Sequence, residues 1–372
     1  MNSTVLLTGG AGFIGSHLAD HLLAQGHRVR IMDLLVPQVH GNHAARPTYL
    51  SRETEFIRGD ICDPDAVQSA LKGVDAVFHL AAAVGVGQSM YQIKHYSDVN
   101  ASGTAVLLEA LARNPVERLV IASSMSIYGE GLYKTKTGER VENAVRTLAQ
   151  LRGRQWDLHD EDGVKLVPFA TPESKVPSLP SVYALSKYYQ ERLCMNVAPA
   201  YGISCVGLRF FNVYGTRQSL SNPYTGVLAI FASRLLNDGP PLIHEDGLQR
   251  RDFVYIKDLV QACGLALSTP EADGEVFNVG SGRSFTILEI AAKLGRAMGK
   301  SEIEPQVTGR FRVGDIRNCF ADISKARKIL SYKPLIELEQ GLEELVEWLS
   351  TQSAEDHSSV AVRELAERGL TA

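Results

Sequence analysis

The chain has 372 residues, 45% of them hydrophobic, which is more than one core usually takes, so a dominant domain with a smaller partner is expected. A formal net charge of −4, with no long run of one sign, argues against nucleic acid or an anionic membrane surface as a partner. No stretch approaches the roughly 18 apolar residues of a membrane span, no charged and apolar leader is recognisable, and Cys62, Cys194, Cys205, Cys263 and Cys319 are too scattered for a metal or redox motif, which fits a reducing cytosol.

In chain order, Val5 to Leu7 reads as a strand ending in Thr8-Gly9-Gly10, and Phe13 to Leu23 as an amphipathic helix. Val29 to Asp33, Glu55 to Arg58 and Ala76 to Leu80 read as the next strands, Asn100 to Leu111 as a helix and Leu119 to Ala122 as a fifth strand. This alternation predicts a parallel sheet covered on both faces. From about 130 to 180 the rhythm breaks into polar sequence with scattered Gly and Pro and with Trp156, and an insertion is expected. Helical pattern returns at Tyr183 to Met195, a strand follows at Ser204 to Leu208, and the last part mixes short strands with helices such as Thr286 to Met298 and Leu342 to Leu349. Beyond Thr351 the chain turns polar and is expected to fray.

Gly9-Gly10-Ala11-Gly12-Phe13-Ile14-Gly15 follows the first strand and opens the first helix. A tight turn needs one glycine, close approach of a pyrophosphate to the backbone a second, and helix-on-strand packing a third. The helix N-terminus adds free N–H groups and partial positive charge. Glycine-rich turns are common, but here strand, helix, second strand and a terminal acid fall in the order of a dinucleotide site. That acid is Asp33, roughly 20 residues past the turn, able to accept from both ribose hydroxyls and to repel a 2′-phosphate. No arginine follows it closely, so NAD is favoured over NADP. The expected fold is α/β: a Rossmann-type doubly wound parallel sheet over residues 1–205 with the insertion, a smaller mixed α/β substrate domain over 206–350, partly interleaved, and a polar tail over 351–372.

Tyr183 and Lys187 lie four apart and would share one face of a helix. A free tyrosine, with a pKa of about 10, is a poor base at neutral pH. A nearby ammonium and a positively charged nicotinamide would favour the phenolate, as a general base requires. Alone, such a pair is most often on the surface; after a dinucleotide motif the catalytic reading is preferred.

With these residues in place the chain resembles the extended short-chain dehydrogenase/reductase family, and within it the nucleotide-sugar epimerases, up to about residue 350. The motifs run in order: Thr8 to Gly15, Gly59-Asp60-Ile61, His79-Leu80-Ala81-Ala82, Ser123-Ser124 before Ile127-Tyr128-Gly129, Tyr183 with Lys187, and Arg209 to Gly215. The resemblance implies that Gly9, Gly12, Phe13, Ile14 and Gly15 hold the NAD pyrophosphate and that Asp60, with Ile61, holds the adenine. It places Leu80, Ala81, Ala82, Asn100, Tyr183 and Lys187 along the cofactor, and Ser124 on the reacting oxygen. Asp246 to Val254 resembles the family's Asp-Gly-x-x-x-Arg-Asp element and Arg312 to Asp315 its Arg-x-Gly-Asp element. They imply Arg251, Arg312 and Asn212 at a substrate diphosphate and Asp315 at its ribose. A guanidinium fork suits phosphate oxygens; the plainer alternative is two surface charges. Cys319 falls at the family's gatekeeper position, where it implies either a roomy sugar pocket or simple packing.

Dehydratases in this family carry an Asp-Glu pair where Met125 and Ser126 stand, and decarboxylases usually keep the glutamate. What remains is 4-epimerisation: Tyr183 takes the C4 hydroxyl proton, hydride passes to NAD, the 4-keto sugar turns about its diphosphate, and hydride returns to the other face. The alternatives are a UDP-uronic-acid epimerase or decarboxylase, a silent NAD-binding scaffold, and a simple alcohol dehydrogenase, which would have little use for Arg251 and Arg312. The insert resembles that of a branch of these epimerases, some acting on dTDP-L-rhamnose, in which many members carry Cys-x-x-Cys knuckles. No cysteine lies between Cys62 and Cys194, and a structural zinc needs about four ligands, so the insert is expected to keep its outline without metal. Asn222-Pro223-Tyr224 also fits this branch, and a deoxyhexose on dTDP or UDP is the expected substrate. The family further implies a homodimer through the helices from about Tyr96 to Leu111 and Tyr183 to Met195, with Ala101, Leu108, Tyr189 and Leu193 outward.

Overall fold

A computed structural model describes residues 3–41 and 45–371. Seven strands, β1 (Thr4–Thr8), β2 (Arg28–Asp33), β3 (Glu55–Arg58), β4 (Ala76–His79), β5 (Arg118–Ser124), β6 (Ser204–Phe210) and β7 (Val276–Val279), pair in parallel in the order β7-β6-β5-β4-β1-β2-β3. Their side chains alternate between two cores: Val5, Leu7, Phe78 and Val120 on one face, Leu6, Val77, Leu119 and Ile121 on the other. Of the helices α1 (Phe13–Ala24), α2 (Gly103–Arg113), α3 (Val182–Ala200) and α4 (Ile256–Ser268), α1 packs with α4, and α2 with α3 on the opposite face. The strand order reverses between β1 and β4, which opens a crevice at the carboxyl ends of the strands.

β6 runs past the expected boundary at residue 205, and β7, from the second half, forms an edge of the main sheet. A cut at 205 therefore divides a strand. The smaller lobe is built from short paired strands, among them Arg250–Arg251 between Phe285–Thr286 and Asn318–Cys319, with helices α5 (Ile287–Ala297) and α6 (Leu338–Leu349). Thr286 and Glu289 close a capping box that fixes the start of α5.

The insertion is a small antiparallel sheet of Leu132–Lys134, Arg140–Val141 and Val167–Phe169 around Tyr133, Leu158 and Leu166. Buried charge fastens it to the lobe. Arg317, 1% exposed, meets Asp157, Glu245 and Asp246, and Arg146 meets Glu130 and Glu245. Removing one partner of such a pair strands a buried charge, so the network specifies one seating of the insert.

Two expectations about the helices and the tail fail. The polar tail does not fray: α7 (Ser358–Glu367) turns Ala361 and Leu365 inward at helical spacing and keeps its charges outside. Leu108 does not face outward, since it is buried in the core between α2 and the sheet; Tyr189 is exposed, and Ala101 and Leu193 are half-buried. Among the described residues no helix is long and apolar enough to cross a membrane.

Candidate active site

One cavity of about 1020 Å³ runs along the crevice and into the smaller lobe. At its β1 end, Gly9 has φ +69°, and a Cβ there would lie 2.8 Å from the Ala81 backbone; at Gly15 it would lie 2.5 Å from Gly10 Cα. These contacts are the tight turn and the helix-on-strand approach. Gly12 caps α1 without a side-chain bond, so the first-turn N–H groups face the cavity free, as an anion site needs. Asp33 accepts from Ala11 N (3.0 Å) and Leu35 N (2.8 Å), which fixes its carboxylate at the rim with lone pairs to spare. Phe13, Ile14, Asp60, Ile61, Leu80, Ala81 and Ala82 line the same wall. The cradle fits a dinucleotide.

Asn100 does not line it. Its side chain bonds Ala83 N (2.7 Å), Ala83 O (3.1 Å) and Ser186 Oγ (2.8 Å), so it braces the strand end of β4 against α3.

Ser124, Tyr183 and Lys187 converge on the middle of the cavity. Ser181 caps α3 by accepting from Ala184 N, and the helix turns Tyr183 and Lys187 to one face. Burial raises the Tyr183 phenol, while a hydrogen bond with Ser124 opposes that rise. Burial pulls Lys187 down to about 8, against the fields of Cys194 and Glu191.

Two residues set these groups: Ser126, noted from sequence only for the acid it replaces, and Gln190, which sequence did not single out. Ser126 donates its hydroxyl (2.9 Å) and backbone N–H (3.2 Å) to Ser124 Oγ, which leaves the Ser124 proton to point at the phenol or a substrate oxygen. Gln190 accepts from Lys187 Nζ (2.7 Å) and donates to Thr104 (2.8 Å), in a buried chain that reaches Thr8 through His79. Burial, with Lys187 adding, holds His79 at about 3, so its ring is neutral. The only available signal for Gln190 was its place three residues after Lys187 on the same helix.

In the smaller lobe, Arg251, Arg312, Asp315 and Asn212 line the far end of the cavity. Arg251 donates to Arg317 O (3.1 Å) and Ile316 O, and its guanidinium lies 3.6 Å from Asp315. Arg312 lies 3.0 Å from the same carboxylate. Burial would raise Asp315, but Arg312 and then Arg251 outweigh it and hold the acid far below its ordinary range. Asn212, His244 and Gln249 also line this end, and their buried Oδ1, Nδ1 and Oε1 have no hydrogen-bond partner among the described residues, as a polar ligand site requires. Cys319 is absent from this lining. It is 1% exposed in the core, with Sγ against Thr171 Oγ1, and its small size serves packing.

Residues 5–147 and 168–280 match the model of the NAD-dependent epimerase/dehydratase family. The chain belongs to that family. It is an NAD-dependent isomerase. The gap between the two matched stretches, 148–167, falls inside the insertion expected from sequence. The chain is similar to the dTDP-L-rhamnose 4-epimerase of Burkholderia thailandensis, with 36% identity over 353 residues, 94% of this chain and 95% of the relative. In structure it is similar to the UDP-glucose 4-epimerase of Thermotoga maritima with UDP-glucose (TM-score 0.76, 31% identity, 93% and 98% of the two chains). It is also similar to the UDP-glucuronic acid 4-epimerase of Bacillus cereus in complex with UDP-glucuronic acid and NAD (TM-score 0.75, 30% identity, 93% and 99%).

Proposed function

We propose that this protein inverts C4 of a deoxyhexose carried on dTDP or UDP, with Ser124, Tyr183 and Lys187 as catalytic residues. The observation that carries the reading is the single cavity joining these three residues to Arg251, Arg312 and Asn212. A diphosphate gripped at one end sets the sugar at the other. NAD, when bound, supplies the acceptor for the C4 hydride and gives it back. Tyr183 takes the C4 hydroxyl proton and returns it, Ser124 donates to the same oxygen, and the Lys187 ammonium favours the phenolate. Arg251 and Arg312 hold the diphosphate while the keto sugar turns.

The groups that would divert a 4-keto sugar are missing near Ser124. Met125 is buried, and the Ser126 hydroxyl is engaged with Ser124. The nearby carboxylate of Glu191 is fully buried and bonded to Ser123 (2.6 Å) and Arg209 (2.7 Å), so it is no acid for elimination. A uronic acid brings a carboxylate on C5 in addition to the diphosphate, and the lysine and arginine residues lining the described cavity, Lys187, Arg251 and Arg312, all have roles assigned above, which leaves it no dedicated cation. The relative acting on dTDP-L-rhamnose supports the deoxyhexose. A homodimer through α3, where Leu185 and Tyr189 are exposed, is part of the same proposal.

The test incubates the enzyme with dTDP-L-rhamnose, dTDP-glucose, UDP-galactose and UDP-glucuronate and identifies products by NMR. A C4 epimer of the deoxyhexose nucleotide as the fastest product is expected. Carbon dioxide from UDP-glucuronate, or no epimer from any of them, would overturn the reading.

A further inference from the structure

The C-terminal helix reaches the substrate end of the cavity from outside both lobes. Ser358, Ala361, Val362, Leu365 and Leu370 line the cavity itself. Leu365 packs on Gly87 so closely that a Cβ at 87 would lie 3.3 Å from its methyl groups. The short helix Val86–Ser89 that holds Gly87 also holds Ser89, whose hydroxyl accepts from Tyr183 N (3.0 Å). The segment then crosses to the loop of the diphosphate residues: Val313 N donates to Leu370 O (3.0 Å), and Arg312 bridges Thr371.

One carboxylate joins the helix to two loops of the rim. Glu364 Oε2 accepts from Tyr91 (2.8 Å) and from Tyr224 (2.6 Å), on two separate loops of the cavity rim. Arg368 lies 4.3 Å over the Tyr91 ring, and Arg234 ties the base of the helix through Asp356 (2.9 Å) and Ser358 (2.8 Å). Apart from buried Ser358, these contacts join exposed or half-buried side chains, while Ala361, Val362 and Leu365 give the cavity a small, mostly apolar face. A segment built this way can lift as a unit without breaking the core beneath it.

We propose that residues 357–371 are the lid of the substrate site, latched by Glu364 between Tyr91 and Tyr224, and that this lid retains the keto sugar between the two hydride transfers. The proposal rests on the 4-epimerase reading for its chemistry. After the first transfer the sugar has given its C4 hydride to NAD and its hydroxyl proton to Tyr183. If the keto sugar leaves at that point, the enzyme is left with NADH and cannot complete the cycle.

The test compares the NAD-loaded full chain with Glu364→Ala and with a chain ended after Asp356. Melting temperature and NAD content establish that each variant is folded. In the full chain, dTDP or UDP should slow hydrogen exchange of the amides in 359–370. In both variants the KM for the nucleotide sugar should rise by about tenfold or more, tenfold being the equivalent of about 1.4 kcal/mol, less than one hydrogen bond to a carboxylate contributes. The fraction of enzyme trapped with NADH during turnover should rise with it. Unchanged KM together with no NADH trapping would overturn the lid. If the full chain epimerises no sugar in the panel, the 4-epimerase reading fails. The lid is then judged by exchange and by dTDP and UDP affinity alone, which the shortened chain should lose about tenfold and would keep if there is no lid.

Discussion

Asp33 is the residue through which cofactor choice can be tested most directly. Its two carboxylate oxygens take Leu35 N at 2.8 Å and Ala11 N at 3.0 Å, so the group is fixed at the ribose end of the cavity. Among the described residues its ion-pair partner is His40, at 3.7 Å. Burial lowers the His40 imidazole against the pull of Asp33, so near pH 7 the ring is neutral and does not cancel the charge. A 2′-phosphate at about 4 Å from this carboxylate would be repelled by roughly 1 kcal/mol per charge pair even at bulk dielectric, hence roughly 2 kcal/mol for a dianion. That corresponds to about 30-fold discrimination as a lower bound. A ribose hydroxyl donating to a charged oxygen contributes about 1.5–3 kcal/mol. Asp33→Ala should therefore weaken NAD by at least about tenfold and abolish the preference over NADP. Asp33→Asn keeps the shape and removes the charge, which separates repulsion from hydrogen bonding. Calorimetric titration of the cofactor-free wild type and both variants with NAD and NADP measures all six affinities. Equal affinity of the wild type for the two cofactors, or an unchanged ratio in Asp33→Ala, would refute the argument.

Tyr183→Phe should fold and bind NAD but lose roughly 10²–10⁴-fold in turnover, the range for a general acid–base group; near-normal product formation by NMR would remove Tyr183 from the mechanism. With substrate deuterated at C4 and NAD added in excess, the epimer should keep its deuterium and free NADH should not accumulate, whereas stoichiometric NADH would make the protein a dehydrogenase. Lys187, held at about 8 by burial, is charged below that pH and neutral above it, so kcat/KM should fall as pH rises through that value; a profile flat to pH 10 would show that the ammonium is not needed.

The main sheet was legible because its signals are local. Alternating aliphatic residues in β1, β4 and β5 determine both faces, and the glycines between β1 and α1 are required by backbone contacts within a few residues. Tyr183 and Lys187 were legible through helical spacing together with the dinucleotide motif that precedes them. The failures all involve partners distant in sequence. Asn100 sits beside the cavity, but Ala83 and Ser186 take up its side chain. Cys319 occupies a suggestive position, and the pairing of its strand with Arg250–Arg251 turns it into the core. Leu108 has an outward-looking place on a helical wheel, yet α2 buries it against the sheet. The tail read as polar because its two inward residues, Ala361 and Leu365, are few, and one of its ties is a carboxylate meeting tyrosines far back in the chain.

The proposed stereochemistry follows from which parts of the site are fixed. Lys187 is tied through Gln190, Thr104 and His79 to β1 and β4, and Ser124 is held by Ser126 at the end of β5. Both networks are largely buried, and neither can turn to meet a second face of the sugar. A catalyst that cannot move can deliver hydride to the opposite face only if the substrate moves. The proposed substrate grips lie elsewhere, on Arg251 and on the loop of Arg312 and Asp315, which line the same cavity as Tyr183. A diphosphate held there is a pivot, and the sugar beyond it has room to rotate. Inversion at C4 is what a rigid proton and hydride site, a distant anionic anchor and an enclosed space between them together permit.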